Sequence, residues 1–346
     1  MSEVALSNPV LVEVTRGSLV ESRHRGAIAV ARADGELLLA LGDVTRPVYP
    51  RSAVKLLQAV PLIESGAADA FGLDDAELAV ACASHSGDRV HVEAVRSLLA
   101  KAGLDESLLA CGVHWPISEN PTRELLREAR RPTPIHNNCS GKHAGMLATA
   151  VHLGLDPKGY ERPDHPVQIA ITRILSETCA VALRSDLMGI DGCSVPTFAL
   201  PLGALAQGFA RVASGEGLSA PRVDAVRRLM QACFAAPVLV AGEGRFDTEV
   251  MCALAPACFV KGGAEGVHCA ALPELGLGIA LKIDDGAKRG TELALAATLA
   301  ALLPSAKKAL RDLIECEIET LRGARAGRMA PSDELQNVLS ELAARG

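Results

Sequence analysis

Several signatures are missing from this chain of 346 residues, and each absence removes a class of protein. No apolar run is long enough to cross a bilayer; the longest, Leu293 to Leu303, is about half the required length. Lysine and arginine are scattered and formal net charge is −6, so there is no basic stripe to track nucleic acid. Internal repeats and low-complexity linkers are lacking. The ten cysteines include no Cys-x-x-Cys pair, which argues against a compact zinc or redox motif. The opening Met-Ser-Glu-Val carries neither the basic nor the apolar region of a secretory signal, so cytoplasm is the expected compartment and most thiols should be reduced. What remains, at 49% hydrophobic and 22% charged, is ordinary globular composition.

The order of elements is more informative. Residues 9–14 and 26–32 read as strands, and Asp34-Gly35 turns the chain into a third at 36–41. Apolar residues at three- and four-residue steps predict helices over 52–65, 75–83, 89–102, 119–130, 141–153, 166–183 and 221–234. Strands return at 257–261, 266–271 and 277–283, followed by helices 288–303 and 305–320 with Pro304 between them. Residues 321–346 read as a loose polar segment ending in one short helix. Strands at both chain ends imply one antiparallel sheet flanked by helices, with a helical subdomain inserted. The expectation is a single discontinuous α/β (α+β) domain: sheet subdomain 1–50 plus 245–320, helical subdomain 51–244, polar tail 321–346.

Five segments carry chemistry. Arg51-Ser52-Ala53-Val54-Lys55 opens an apolar helix, and residues three apart share a helix face, so the Lys55 amine can reach the Ser52 hydroxyl. A serine needs such a base to become a nucleophile, and lysine serves only when burial or another cation lowers its pKa from about 10.4. A helix cap with a solvated lysine is the bland alternative. Cys82-Ala83-Ser84-His85-Ser86-Gly87 closes another helix, and Lys261-Gly262-Gly263-Ala264-Glu265-Gly266 ends a strand where glycines admit a ligand close to the backbone. His136 to Gly145 contains Gly141-Lys142 but has histidine at 136 and 143, where a phosphate loop needs glycine and serine or threonine, so nucleotide binding is rejected. Asp191-Gly192-Cys193 lies in an irregular stretch far from Cys139, and spacing alone does not argue for a metal there.

Taken in order, these five segments resemble the rhizobial-type L-asparaginases, also called asparaginase II, which are similar in fold to serine β-lactamases, penicillin-binding proteins and serine-dependent glutaminases. The resemblance covers about residue 10 to 315 and leaves the tail after 320 uncovered. It implies a serine β-lactamase-like fold and hydrolysis of L-asparagine to aspartate and ammonia. It also implies two Ser–Lys pairs in one pocket, Ser52–Lys55 and Ser84–Lys261, and a zinc ion (Zn2+) held by Cys139, Lys142 and Cys193, in a homodimer. Arg51, Asp191 and His143 are candidates for substrate contact or for orienting the site. The loop reads Ser-His-Ser rather than Ser-Asp-Asn, which argues against β-lactam turnover. Ser52 is the favoured nucleophile, with zinc positioning the substrate, but the same residues are consistent with attack by Ser84. Another Ser-x-x-Lys acyl hydrolase, or a non-catalytic zinc protein, would share parts of this pattern.

Overall fold

The computed structural model describes residues 7–345; the first six residues of the expected sheet subdomain lie outside the described residues. Eight strands form the main sheet: β1 (Val10–Arg16), β2 (Leu19–Ala31), β3 (Leu37–Leu41), β4 (Phe259–Gly263), β5 (Val267–Leu272), β6 (Leu277–Ile283), β7 (Cys316–Glu319) and β8 (Arg325–Pro331). The order is β7-β8-β1-β2-β6-β5-β4, with β3 also paired to β2, and every pairing is antiparallel. Strand β2 is the pivot. Its first half pairs with β1 and its second half, Gly26 to Ala31, pairs with β6. The expected sheet assembled from both chain ends is therefore what forms.

The longer helices are α1 (Lys55–Glu64), α2 (Asp75–Ala81), α3 (Arg89–Lys101), α4 (Glu119–Arg127), α5 (Ser140–His152), α6 (Pro166–Thr178), α7 (Leu202–Ser214), α8 (Ala220–Ala235), α9 (Phe246–Leu254), α10 (Lys288–Leu302) and α11 (Asp333–Arg345). Local chemistry sets several boundaries. Asp74 accepts from the Glu77 backbone N–H at 3.1 Å while the Glu77 carboxylate accepts from Asp74 N–H at 2.9 Å, a reciprocal cap that starts α2. Every residue of β5 is buried, as is nearly all of β6, because α7 and α10 both pack on these strands. Gly278 on β6 makes this possible: a side chain there would run into the Ala206 carbonyl of α7. Around α1 gather α5, α6 and α8, and its residues Leu56, Leu57, Val60 and Leu62 are buried among them.

Three expectations change. Residues 305–320 are not one helix; a single turn at 304–306 and a short helix at 311–314 lead into β7. The tail is not loose: β8 pairs with β1 from Val12↔Pro331 to Arg16↔Gly327, so the sheet extends to residue 331. Its polar character fits β8, which with β7 is only partly buried at this end of the sheet. Helix α7 falls within the expected helical insertion yet covers the sheet. Its two glycines obscured it, and Gly208 is needed because a Cβ there would sit 2.6 Å from Cys179 Sγ. Among the described residues no helix is long and apolar enough to cross a membrane.

Candidate active site

Ser52 lies in one tight 3-10 turn, Arg51–Val54, that leads directly into α1. The turn is strained at its first residue: Arg51 has φ +50°, in the left-handed region. Non-glycine residues there cost of order 1–3 kcal/mol and persist only when surroundings hold them. Here the guanidinium is tied to Asp191 Oδ1 at 2.9 Å from Nε and 2.8 Å from Nη2. Strand β4 supports the turn from below. A Cβ on Gly263 would lie 2.6 Å from the Pro50 carbonyl oxygen and 3.2 Å from Ala53 N, so only glycine lets strand and turn approach this closely.

Lys55 is buried at the first position of α1. Its Nζ donates to Ala83 O at 2.5 Å and to Cys139 Sγ at 3.1 Å, with Asn138 O at 3.4 Å. Among the described residues no hydrogen bond joins Lys55 to Ser52, contrary to the contact expected from the spacing. A buried amine must satisfy its protons, and two carbonyls and a thiol converge on this one. Burial lowers the pKa of Lys55; Cys139 works against that shift, and the charges of Lys142 and Lys261 add to it.

Ser84 follows α2 in the loop 82–88, anchored by Ser84 N–H to Val240 O at 2.9 Å and His85 N–H to Asn138 O at 3.1 Å. Its hydroxyl is buried and has no hydrogen-bond partner among the described residues. Lys261 on β4 is equally buried, but its Nζ donates to Asp247 Oδ2 at 3.2 Å and to Gly262 O at 2.9 Å rather than to Ser84. Asp247, near the start of α9, was not anticipated from the sequence. It also accepts from Gly262 N–H at 3.0 Å and bonds His268 Nε2 at 2.9 Å. Burial alone would raise the pKa of its carboxyl. The Lys261 charge, the His268 hydrogen bond and the Gly262 N–H outweigh burial and hold it well below the usual carboxylate range.

The sulfur cluster forms a second centre. Cys139 and Cys193, 54 positions apart in the chain, line the same cavity, and Lys142 Nζ donates to Cys193 Sγ at 2.9 Å. The neighbouring Cys193 thiol and the Lys55 and Lys142 charges outweigh burial and hold the Cys139 thiol well below its ordinary pKa. The neighbouring Cys139 thiol and burial push Cys193 up. Lys142 is raised, since the two sulfurs outweigh its burial. Among the described residues no group of three His, Cys, Asp or Glu gathers in metal-binding fashion, so a lysine would have to complete any set here. Two thiols lining one cavity, with an amine 2.9 Å from one of them, are a donor set that fits a borderline-soft ion such as zinc. His143 stands apart. Its Nδ1 bonds Tyr160 Oη at 2.5 Å, and it lines neither of the cavities described next.

Two cavities share the Ser52 wall. One, of about 190 Å³, is lined by Ser52, Ser84, Asn138, Arg245, Asp247 and His268 with the Gly262–Ala264 strand end. The other, of about 400 Å³, adds Arg51, His114, Cys139, Asp191 and Cys193. Ser52, Asn138 and Ala264 belong to both. The fold brings both serines to one space and the two cysteines to the space beside it. Asp247, His268 and Asn138 complete the site. Only Asn138 lay within a segment singled out from the sequence; Asp247 and His268 are isolated residues with no motif around them.

An antiparallel sheet flanked by helices, with two serines lining one cavity, defines a mixed α/β protein. A family model described as L-asparaginase II matches residues 12–331, and this chain belongs to that family. The expected family is thereby borne out, including part of the tail that the resemblance had left uncovered. No curated protein shows significant sequence similarity. Among solved structures, the chain is similar to Mglu in its glutamate form, at 16% identity and a TM-score of 0.41, covering 83% of this chain and 61% of that one. It is also similar to a β-lactamase from Mycobacterium bovis, at 15% identity and a TM-score of 0.39, covering 82% and 94%. The chain thus spans about three fifths of the length of Mglu.

Proposed function

We propose that the protein is an L-asparaginase that hydrolyses the side-chain amide of L-asparagine through an acyl-enzyme at Ser52. The observation that carries this reading is the shared cavity: Ser52 and Ser84 line one small space, in a chain of the L-asparaginase II family. Ser52 Oγ attacks the carboxamide carbon, and Lys55, whose pKa burial has lowered, takes the hydroxyl proton. For that transfer the amine turns from the Ala83 carbonyl toward Ser52. The C–N bond breaks as the leaving nitrogen gains a proton, and ammonia departs. Water then attacks the ester, releasing aspartate and restoring the serine. Ser84, with an unengaged hydroxyl at the same cavity, is placed to pass the proton to the leaving nitrogen.

Arg51 and Asp191 supply opposite charges on the larger cavity, which suits the α-carboxylate and α-amine of an amino acid. Cys139, Lys142 and Cys193 would hold zinc, which when bound supplies a fixed positive charge for orienting the substrate. A homodimer accompanies this reading through the family resemblance.

Purified protein should release ammonia from L-asparagine faster than from glutamine, and Ser52→Ala should lose several orders of magnitude in kcat while keeping its melting temperature. No ammonia from asparagine, or near-normal turnover by a folded Ser52→Ala protein, would overturn the reading. Cys139→Ser should lower bound zinc by elemental analysis and raise KM more than it lowers kcat. Full activity in protein free of zinc would make Cys139 a buried thiol with no metal role.

A further inference from the structure

Asp247 is the most completely satisfied charged group in the site, and nothing in the proposed reaction uses it. It is buried, lines the cavity that holds both serines, and accepts three hydrogen bonds: from Lys261 Nζ, from Gly262 N–H and from His268 Nε2. His268 is itself fixed, because its Nδ1 meets Thr291 Oγ1 at 3.1 Å. A carboxylate accepts from Nε2, so that nitrogen carries the proton and Nδ1 faces the threonine hydroxyl. Gly262 permits the arrangement: a Cβ there would lie 2.6 Å from His268 Nε2. In β4 and β5, Gly262 and His268 are direct register partners, so the pairing of the two strands brings the imidazole beside the lysine strand.

We infer that Asp247, braced by His268, is a positioning residue that sets the place and charge of Lys261, so that Lys261 serves the reaction as a fixed cation rather than as the base for Ser84. This rests on the proposed amide hydrolysis. An amine whose protons go to a carboxylate oxygen and a backbone carbonyl is oriented by both, and deprotonating it would leave the buried carboxylate without its counter-charge. Held in this way beside Asp247 and Gly262, which line the serine cavity, Lys261 contributes its field there without moving. The Ser84 hydroxyl, left without a partner by the same geometry, stays free to turn toward the substrate.

The test is a double-mutant cycle on Asp247→Asn and Lys261→Met, read by kcat and KM for asparagine together with melting temperature. If Asp247 acts through Lys261, each single variant loses kcat by about 100-fold with little change in KM, and the double variant loses no more than Lys261→Met alone. The double variant also removes the unpaired buried charge left by Asp247→Asn, so it should fold where the single variant is fragile. Asp247→Glu should recover part of the lost kcat, which a purely structural role would not predict. Multiplicative losses across the cycle, or unchanged kcat in Asp247→Asn, would overturn the inference. A second arm needs no turnover: protein labelled with 15N at lysine Nζ should show a slowly exchanging resonance, assigned by its loss in Lys261→Met, that disappears in Asp247→Asn. Persistence of that resonance in Asp247→Asn overturns the inference. Its disappearance in a protein inert toward asparagine leaves the anchor standing and overturns the substrate assignment instead.

Discussion

At the scale of single residues the site is a set of buried lysines, each beside an ionisable neighbour. Lys55 meets Cys139, Lys142 meets Cys193, and Lys261 meets Asp247. For Lys261 and Asp247, removing one member costs about 3–5 kcal/mol, because the other charge is left in a medium that solvates it poorly. Ser84 is the exception. Its hydroxyl is buried and has no partner among the described residues, so deleting it removes no hydrogen bond. Ser84→Ala should keep or slightly raise the melting temperature while kcat for asparagine falls on the order of 10²–10⁴-fold. Kinetics and calorimetry on one preparation check this. An active, equally stable variant would reduce Ser84 to a lining residue.

Among elements, the contact that matters is between strand β4 and the turn carrying Ser52. The turn holds Arg51 in a left-handed conformation, and the strand holds the turn through the missing side chain of Gly263. Gly263→Ala would insert a methyl 2.6 Å from the Pro50 carbonyl oxygen and 2.7 Å from Val267 Cγ1, within two residues of Ser52. Neither neighbour is the end of a flexible chain, so the turn must shift. Misplacement of a nucleophile by a fraction of an ångström to one ångström costs turnover on the order of 10–100-fold. The expected outcome is a folded variant with reduced kcat. Wild-type kinetics in Gly263→Ala would show that the turn tolerates displacement. The Lys-Gly-Gly segment was legible as a place where something approaches the strand closely; that the close neighbour is the Ser52 turn was not.

For the whole molecule, the tail is part of the structure. Strand β8 covers the edge of β1, and α11 buries Leu335, Leu339 and Leu342 at four- and three-residue steps. Fully burying each such side chain is worth roughly 1.5–3 kcal/mol. Against a total stability of about 5–15 kcal/mol, a chain ending at residue 320 should unfold at markedly lower urea concentration and aggregate through the uncovered β1 edge. An unchanged unfolding midpoint would mean that the tail docks without contributing.

The sequence by itself determined the periodic elements and the segments rich in chemistry. Strands β1 to β6, with only the second half of β2, and helices α1 to α6, α8 and α10 were legible because alternation and three- to four-residue steps are local properties of the chain. Ser52, Ser84, Lys261, Cys139 and Cys193 were legible because each sits in a segment whose residue types stand out together, and the resemblance joined them. Tertiary structure decided the pairings. Ser52 and Lys55 share a helix start, yet Lys55 turns to Ala83, Asn138 and Cys139, because a buried amine follows the acceptors that other segments bring to it. Lys261 turns to Asp247, and His268 arrives from the neighbouring strand, because register across a sheet joins residues that no local pattern connects. Periodicity reports which face of an element is buried. Which charge meets which depends on how the faces pack, and that is set only once the chain has folded.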